Sequence, residues 1–469
     1  MKHTTQLPDK LTAAADYSKR IVERVAFAGV FVALALAGCG GLKDGEEAAP
    51  VGAAPAAAAP AITVQPANLT VTELQPASFS ITASSAAPVS YQWKRNGTPI
   101  AGATSSTLTI SSALPADHNA KYSAVVTNSA GSMASTEAVL TQELPMFLLG
   151  GQSNMVGSTD RTLYKELLAD LESGTDAETT KTNLAKRIKD WTTAITGYED
   201  MAKTKPVRYR AYGYSDSMAA LEASELVRLK SLGLVGNFLN TPSPNVFCSA
   251  NENKLVPLQA LIPETQECAS PVGPEHVFGR ALGKAGHSST SVIKVAVGGT
   301  SLYDDWRSPS MGVETSAESL LLYAKLRTRI QSLKSNPTSV NPACNARACK
   351  WSAFVWFQGE ADALKEPQIA AYEQNLKNFI ADVRADVGSP TLPVVIVQIG
   401  AWAQSLSGGK GKIVANAQTA IVKADPYARI VNTADLNGFF HYDPAAQLII
   451  GERVSLAVKS LMDAAPAAK

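Results

Sequence analysis

Three glycine-bearing segments and one histidine carry residue types and spacings suited to acyl transfer. In Gly150-Gly-Gln-Ser-Asn-Met-Val-Gly157 a serine stands between glycines, directly after an apolar run. Such a serine can sit on a tight turn with its hydroxyl exposed, and glycine lets backbone N–H groups approach a substrate closely. An ordinary strand-to-helix turn capped by Ser153 would read the same way. In Val297-Gly-Gly-Thr-Ser-Leu302 a Gly-Gly pair follows another apolar run and can offer N–H donors to an oxyanion. A phosphate loop is the alternative there, although no lysine follows at its spacing. Trp356-Phe-Gln-Gly-Glu-Ala-Asp362 places an amide and two acids after a third apolar run. These are either site residues or acids complementing the positive end of a helix. A hydrolytic serine needs a base, usually histidine. Of the five histidines, His3 lies in the N-terminal leader, His118 in β-rich text, His276 at a helix start and His287 in a polar loop. His441 follows Asp435-Leu-Asn-Gly-Phe-Phe and precedes a long amphipathic stretch, which by elimination makes it the best base, with His276 as the alternative.

The elements that must position these residues alternate. Apolar runs at Met146–Leu149, Val292–Val297, Ala353–Phe357 and Pro393–Ile399 read as strands, with helical text at Val277–Ala285, Tyr372–Ala385 and Ala445–Met462. Short apolar strands with helices between them predict an α/β domain over 145–465 whose parallel sheet is covered on both faces. Sites in such sheets lie at the carboxyl ends of the strands, where all three segments fall. The stretch 158–270, with Arg208-Tyr-Arg-Ala-Tyr-Gly-Tyr214, reads as a long insertion that walls the pocket. Before this domain, residues 61–142 carry short period-two runs such as Ser90-Tyr-Gln-Trp-Lys94, Thr107-Leu-Thr-Ile110 and Tyr122-Ser-Ala-Val-Val126, separated by turns such as Asn96-Gly97. That spacing predicts a small all-β sandwich.

At 469 residues the chain is too long for one ordinary domain. Lys+Arg 42 against Asp+Glu 41 leaves a net charge of +1, so nucleic acid is not an expected partner. The fourteen-residue apolar run Val25–Gly38, preceded by Lys2, Lys10, Lys19, Arg20 and Arg24, is too short to span a bilayer and reads as a secretory signal. Residues 39–60, rich in Ala, Pro and Gly, read as a semi-rigid linker. Besides Cys39 there are Cys248, Cys268, Cys344 and Cys349. An even number in an exported chain suggests disulfides, with the local pairs Cys248–Cys268 and Cys344–Cys349 first among three connectivities. With no CxxC and no histidine at ligand spacing, no metal is expected.

Three resemblances sharpen these readings. Leu36-Ala-Gly-Cys39 resembles the lipobox of bacterial lipoproteins, which implies cleavage after residue 38, acylation of Cys39 and a lipid anchor in the outer membrane or at the cell surface. Tyr91-Gln-Trp-Lys-Arg-Asn-Gly97 and Asp117-His-Asn-Ala-Lys-Tyr122 resemble the core tryptophan strand and the tyrosine corner of immunoglobulin-like domains, with Ala124 where a disulfide cysteine would fall. Gly151-Gln-Ser-Asn-Met-Val-Gly157 resembles the opening signature of the sialate O-acetylesterase family, a carbohydrate-esterase branch of the SGNH hydrolases related to acetylxylan esterases. Gly273-Pro-Glu275, Gly298-Gly-Thr-Ser301, Trp356–Asp362, His441-Tyr-Asp443 and Gly451-Glu-Arg453 follow in that family's order.

The third resemblance implies a three-layer, flavodoxin-like fold and a cofactor-free serine esterase. It would remove O-acetyl groups from sialic acid or an acetylated polysaccharide such as xylan through an acetyl-enzyme. Ser153 would be the nucleophile and His441 the base. The oxyanion hole would combine the Ser153 N–H, an N–H at Gly298 or Gly299 and the Gln358 side-chain amide, with Gln152, Asn154 and Glu360 in support. The family commonly places an acid three residues before the histidine, but here that position is Gly438. Asp435 is the expected acid partner, with Glu360, Asp443 or a bare Ser–His dyad as alternatives. The rival readings are an esterase for other esters and a surface glycan-binding lipoprotein with an inactive hydrolase domain.

Overall fold

The structure, a computed structural model, describes residues 58–157, 161–194, 216–235, 246–249, 256–257, 273–312, 322–339, 341–436 and 441–464, with backbone only at 161–165, 190–194, 246–249 and 256–257. The expected signal, Cys39 and all but the end of the expected linker lie outside these residues. No helix among the described residues is long and apolar enough to cross a membrane.

The sandwich is built from β1 (Ala61–Val64), β2 (Leu69–Thr72), β3 (Ala77–Ser80), β4 (Thr82–Ser84), β5 (Ser90–Arg95), β6 (Thr98–Pro99), β7 (Thr107–Ile110), β8 (Ala120–Asn128) and β9 (Gly131–Ala134). Alternation puts Leu69, Val71, Ala77 and Phe79 inside. Fully buried Trp93 packs 6.4 Å from the Phe79 ring, and Tyr122 stacks on Phe79 at 4.8 Å. The Tyr122 hydroxyl donates to Asp117 Oδ1 at 3.1 Å, and Trp93 pairs across the sheet with Ala124. A fully buried large side chain contributes roughly 1.5–3 kcal/mol and a disulfide typically about 2–4. Two or three such aromatics therefore replace the missing bridge.

The next strand, β10 (Ala138–Gly151), belongs to both halves of the molecule. Its first residues pair with β8 and β2, and Leu144–Gly151 then pair in parallel with β14 (Cys349–Phe357) while Met146–Gly151 pair with β13 (Thr290–Ala296). The sandwich thus continues into the α/β sheet with no linker between them. That sheet runs β12 (Val256–Pro257), β11 (Val246–Ser249), β13, β10, β14, β15 (Val394–Val397), β16 (Ala428–Val431), parallel except for β12. The run β13-β10-β14-β15-β16 is the 2-1-3-4-5 order of flavodoxin-like folds, with its switch point beside β10. Successive residues of β10 feed opposite cores: Phe147 and Leu149 meet α5 (Glu275–Lys284) and α10 (Pro444–Ala464), whereas Met146 and Leu148 meet α6 (Leu322–Ser335), α7 (Gln368–Val387) and α9 (Gly411–Ala424). Strands β11 and β12 fall within the predicted insertion, so part of that stretch extends the sheet edge.

Cys344 and Cys349 form a disulfide, Cα atoms 5.4 Å apart, at the entrance to β14. Cys268 lies outside the described residues and Cys248 is described by backbone alone. The two halves also meet through Glu73, which is fully buried. It accepts from the Ser288 N–H and hydroxyl, both at 2.6 Å, and from Arg347 Nη1 at 2.7 Å. Burial alone would raise the Glu73 pKa, but its contacts with His287, Ser288 and Arg347 outweigh it and hold the carboxyl below its ordinary value.

Candidate active site

The strand ends deliver the expected segments to one place. After β10 the chain turns sharply at Gly151, whose φ is +154°, and a Cβ there would lie 2.1 Å from the Phe357 carbonyl oxygen. Only glycine lets the two strands approach this closely. The one-turn helix α1 (Ser153–Val156) follows, with Gln152 at its N-cap. It is pinned from three sides. Gln152 N–H donates to Phe357 O at 3.1 Å, buried Lys294 of β13 donates to Val156 O at 3.0 Å and to Glu275 Oε1 at 2.7 Å, and Gln447 of α10 donates to Asn154 O at 3.3 Å. Ser153 begins a helical turn, where a backbone N–H has no intrahelical acceptor and points at whatever sits before the helix.

From β13 the chain reaches Gly298, where an added Cβ would stand 3.6 Å from the Ser153 Cβ, and Gly299, at φ +72°. The Gly-Gly loop therefore abuts the serine. Asp362 ties this loop to the end of β14 by accepting from the Leu302 and Tyr303 N–H groups at 2.7 and 3.0 Å. Burial pushes the Asp362 carboxyl up to about 6 despite those bonds and one from Gln358. The fourth wall comes from the loop before α10. There Tyr442 N–H donates to Asn154 Oδ1 at 3.2 Å, and the Tyr442 hydroxyl bonds Thr433 at 2.6 Å, fixing the residue next to His441. The other end of the Asn154 amide donates to Glu360 Oε1 at 2.8 Å. Glu360 Oε2 is buried without a partner, and burial raises the pKa of this carboxyl.

Gln152, Ser153, Val156, Gly298, Gly299, Glu360, Ala361, Leu364, Trp402 and His441 line a single cavity of about 510 Å³. The exposed His441 ring has its pKa lowered by the surrounding protein, with no carboxylate offsetting the shift, so it is neutral and able to accept a proton near neutral pH. No hydrogen bond joins the Ser153 hydroxyl to His441 among the described residues, and a substrate-free catalytic pair is often loose in this way. A hydroxyl, backbone donors and a neutral imidazole around one cavity are the parts of an acyl-transfer site.

Residues 240–460 match the family described as carbohydrate esterase, sialic acid-specific acetylesterase, and residues 59–128 match an immunoglobulin domain. Ser153 precedes the matched span and is joined to it through β10, which pairs with β13 and β14. No curated protein matches the chain. Similar solved structures include a protein from Arabidopsis thaliana, at 17% identity and TM-score 0.41 over 68% of this chain and 98% of that one. A carbohydrate acetylesterase from Xanthomonas citri is 14% identical, at TM-score 0.37 over 86% and 75%. The titin M3 domain is 28% identical, at TM-score 0.17 over 18% and 97%.

Three residues expected at or near the site, Asp435, Asp443 and Gln358, are engaged elsewhere. Asp435 holds Arg453 of α10 with two bonds of 2.7 Å, and nothing links it to His441. The four residues before His441, which include Gly438, lie outside the described set and contain no acid. Asp443 caps α10 through the Ala446 N–H at 2.8 Å, and burial pushes its carboxyl up to about 7. Gln358 is fully buried beneath the cavity and does not line it. Lys294 and Gln447, which hold α1, and Trp402, which lines the cavity, were missed by the motif reading. Only Lys294 left a local signal, as a lone charge inside the apolar run Val292–Val297.

Proposed function

We propose that this chain is a serine esterase that removes O-acetyl groups from carbohydrate, exported as a lipoprotein anchored through Cys39. The observation that carries the catalytic reading is the meeting of Ser153, the Gly298–Gly299 loop and His441 around one cavity at the carboxyl ends of β10 and β13. His441 accepts the Ser153 proton while Oγ bonds to the acetyl carbon, and the carbonyl oxygen becomes an oxyanion facing the backbone donors. As the C–O bond to the sugar breaks, His441 returns the proton to the departing alkoxide. Water then attacks the acetyl-enzyme by the same route, releasing acetate and restoring Ser153. With no carboxylate hydrogen-bonded to His441 among the described residues, the base works as a Ser–His dyad.

The test is acetate release by the full chain and by Ser153→Ala from O-acetylated sialic acid, acetylated xylan and an aryl acetate. Release by the wild type, lost at least about 1,000-fold in the variant, is expected. A folded wild type that releases nothing from any of the three would sink the assignment for these acetates. Fractionating cells that express Cys39→Ser checks the anchor, since activity should leave the membrane fraction; activity retained there would overturn that part.

A further inference from the structure

An oxyanion hole gains most from a rigid side-chain donor beside its backbone N–H groups, and the buried amide of Gln358 cannot be that donor. Its Nε2 carries two N–H bonds and faces three acceptors: Asp362 Oδ2 at 2.5 Å, Thr300 O at 3.1 Å and Gln152 Oε1 at 3.3 Å. Both N–H bonds are directed inward, and the residue is absent from the cavity lining.

The same contacts orient its neighbour. Thr300 O can only accept, which fixes which end of the Gln358 amide is nitrogen. The Ala361 N–H can only donate, and it points at Gln152 Oε1 at 3.4 Å. The Ala361 N–H, with an N–H of Gln358 shared with a closer acceptor, thus meets Gln152 Oε1, so the Gln152 Nε2 must face away from them. That Nε2 has no hydrogen-bond partner among the described residues and is not sealed from solvent, and Gln152 lines the cavity beside Ser153. A preorganised amide N–H next to the nucleophile is therefore open to the cavity.

We propose that Gln152 Nε2 donates to the acyl oxygen as it becomes an oxyanion, and that Gln358 acts as a positioning residue that locks the Gln152 amide. This assignment rests on Ser153 acting as an esterase nucleophile. Gln152→Glu keeps the shape and removes both N–H donors, while Gln152→Asn keeps an amide with a shorter reach. With an aryl acetate, kcat for Gln152→Glu is expected to fall about 100-fold or more while KM stays within about three-fold. Affinity for an aryl trifluoromethyl ketone, whose adduct places an oxyanion in the hole, should fall by the same factor as kcat/KM. A purely structural role for Gln152 would not produce that parallel loss. If Gln152→Glu proves unfolded, Gln152→Asn serves instead, with a loss of at least 10-fold expected. An active wild type whose folded Gln152 variant keeps kcat within five-fold overturns the inference and leaves the esterase standing. A wild type that is inert while Ser153 resists a fluorophosphonate probe overturns the esterase and the inference with it.

Discussion

His441 and Asp435 divide the work of the last loop. The imidazole is held by its neighbour, since Tyr442 is bonded at both its N–H and its hydroxyl, and Asp435 ties Arg453 of α10 to that loop. Because the His441 pKa lies below the ordinary value of about 6.5, the base form persists into mildly acidic solution. The acid limb of kcat/KM for an aryl acetate should therefore fall below pH 6.5, and a limb above that value would show that a carboxylate supports the ring after all. In the same assay Asp435→Ala should change kcat less than about three-fold. The Asp435 side chain is 45% exposed, so the loss of the pair should cost about 1 kcal/mol or less, readable by thermal melting. Ser153, Gly298 and His441 are legible in the sequence because each stands in a short motif at a strand or helix end. The partner of Asp435 is not, because Arg453 lies 18 residues away, on a helix whose rotation only the packed core sets.

At the scale of elements, the strand ends of the sheet are held at fixed spacing by backbone contacts that leave no room for side chains. Gly151 is the sharpest case. Adding a Cβ sets it 2.1 Å from Phe357 O on a backbone of φ +154°, so either β10 moves off β14 or the turn rebuilds. Gly151→Ala should cost about 2–5 kcal/mol from strain and overpacking combined. It should also depress kcat in whatever fraction folds, because Ser153 lies two residues on. An unchanged melting temperature and rate would show that the turn relaxes freely. Apolar runs located β10, β13, β14 and β15, and helical text found α5, α7 and α10. Strand β16, whose sequence is Ala-Arg-Ile-Val, is too short and too polar to announce itself. The inward direction of the Gln358 amide was equally hidden, since it depends on Asp362 and Thr300 arriving from different loops.

On the scale of the whole molecule, Glu73 is an acid buried between the sandwich and the α/β half for which ionisation itself is stabilising. Its folded pKa is depressed, so its contribution is full above the unfolded carboxyl value of about 4.5 and is lost as pH falls through the lower folded value. Glu73→Gln leaves Arg347 facing a neutral amide in a buried contact and should cost about 3 kcal/mol at pH 7. The difference from wild type should shrink as the solution is acidified below that window. A variant equally destabilised at pH 3 and pH 7 would place the effect in packing and not in charge.

The continuous strand β10 has one further consequence. A chain that joins two modules through a loop must find the right mutual angle anew at each encounter, and it loses orientational entropy every time. Here the angle is set once, during folding, by backbone pairing that runs from Ala138 to Gly151 without a break. Any ligand resting on the sandwich would meet the cavity beside Ser153 at one distance and one aim, as a workpiece clamped to a lathe bed meets the tool.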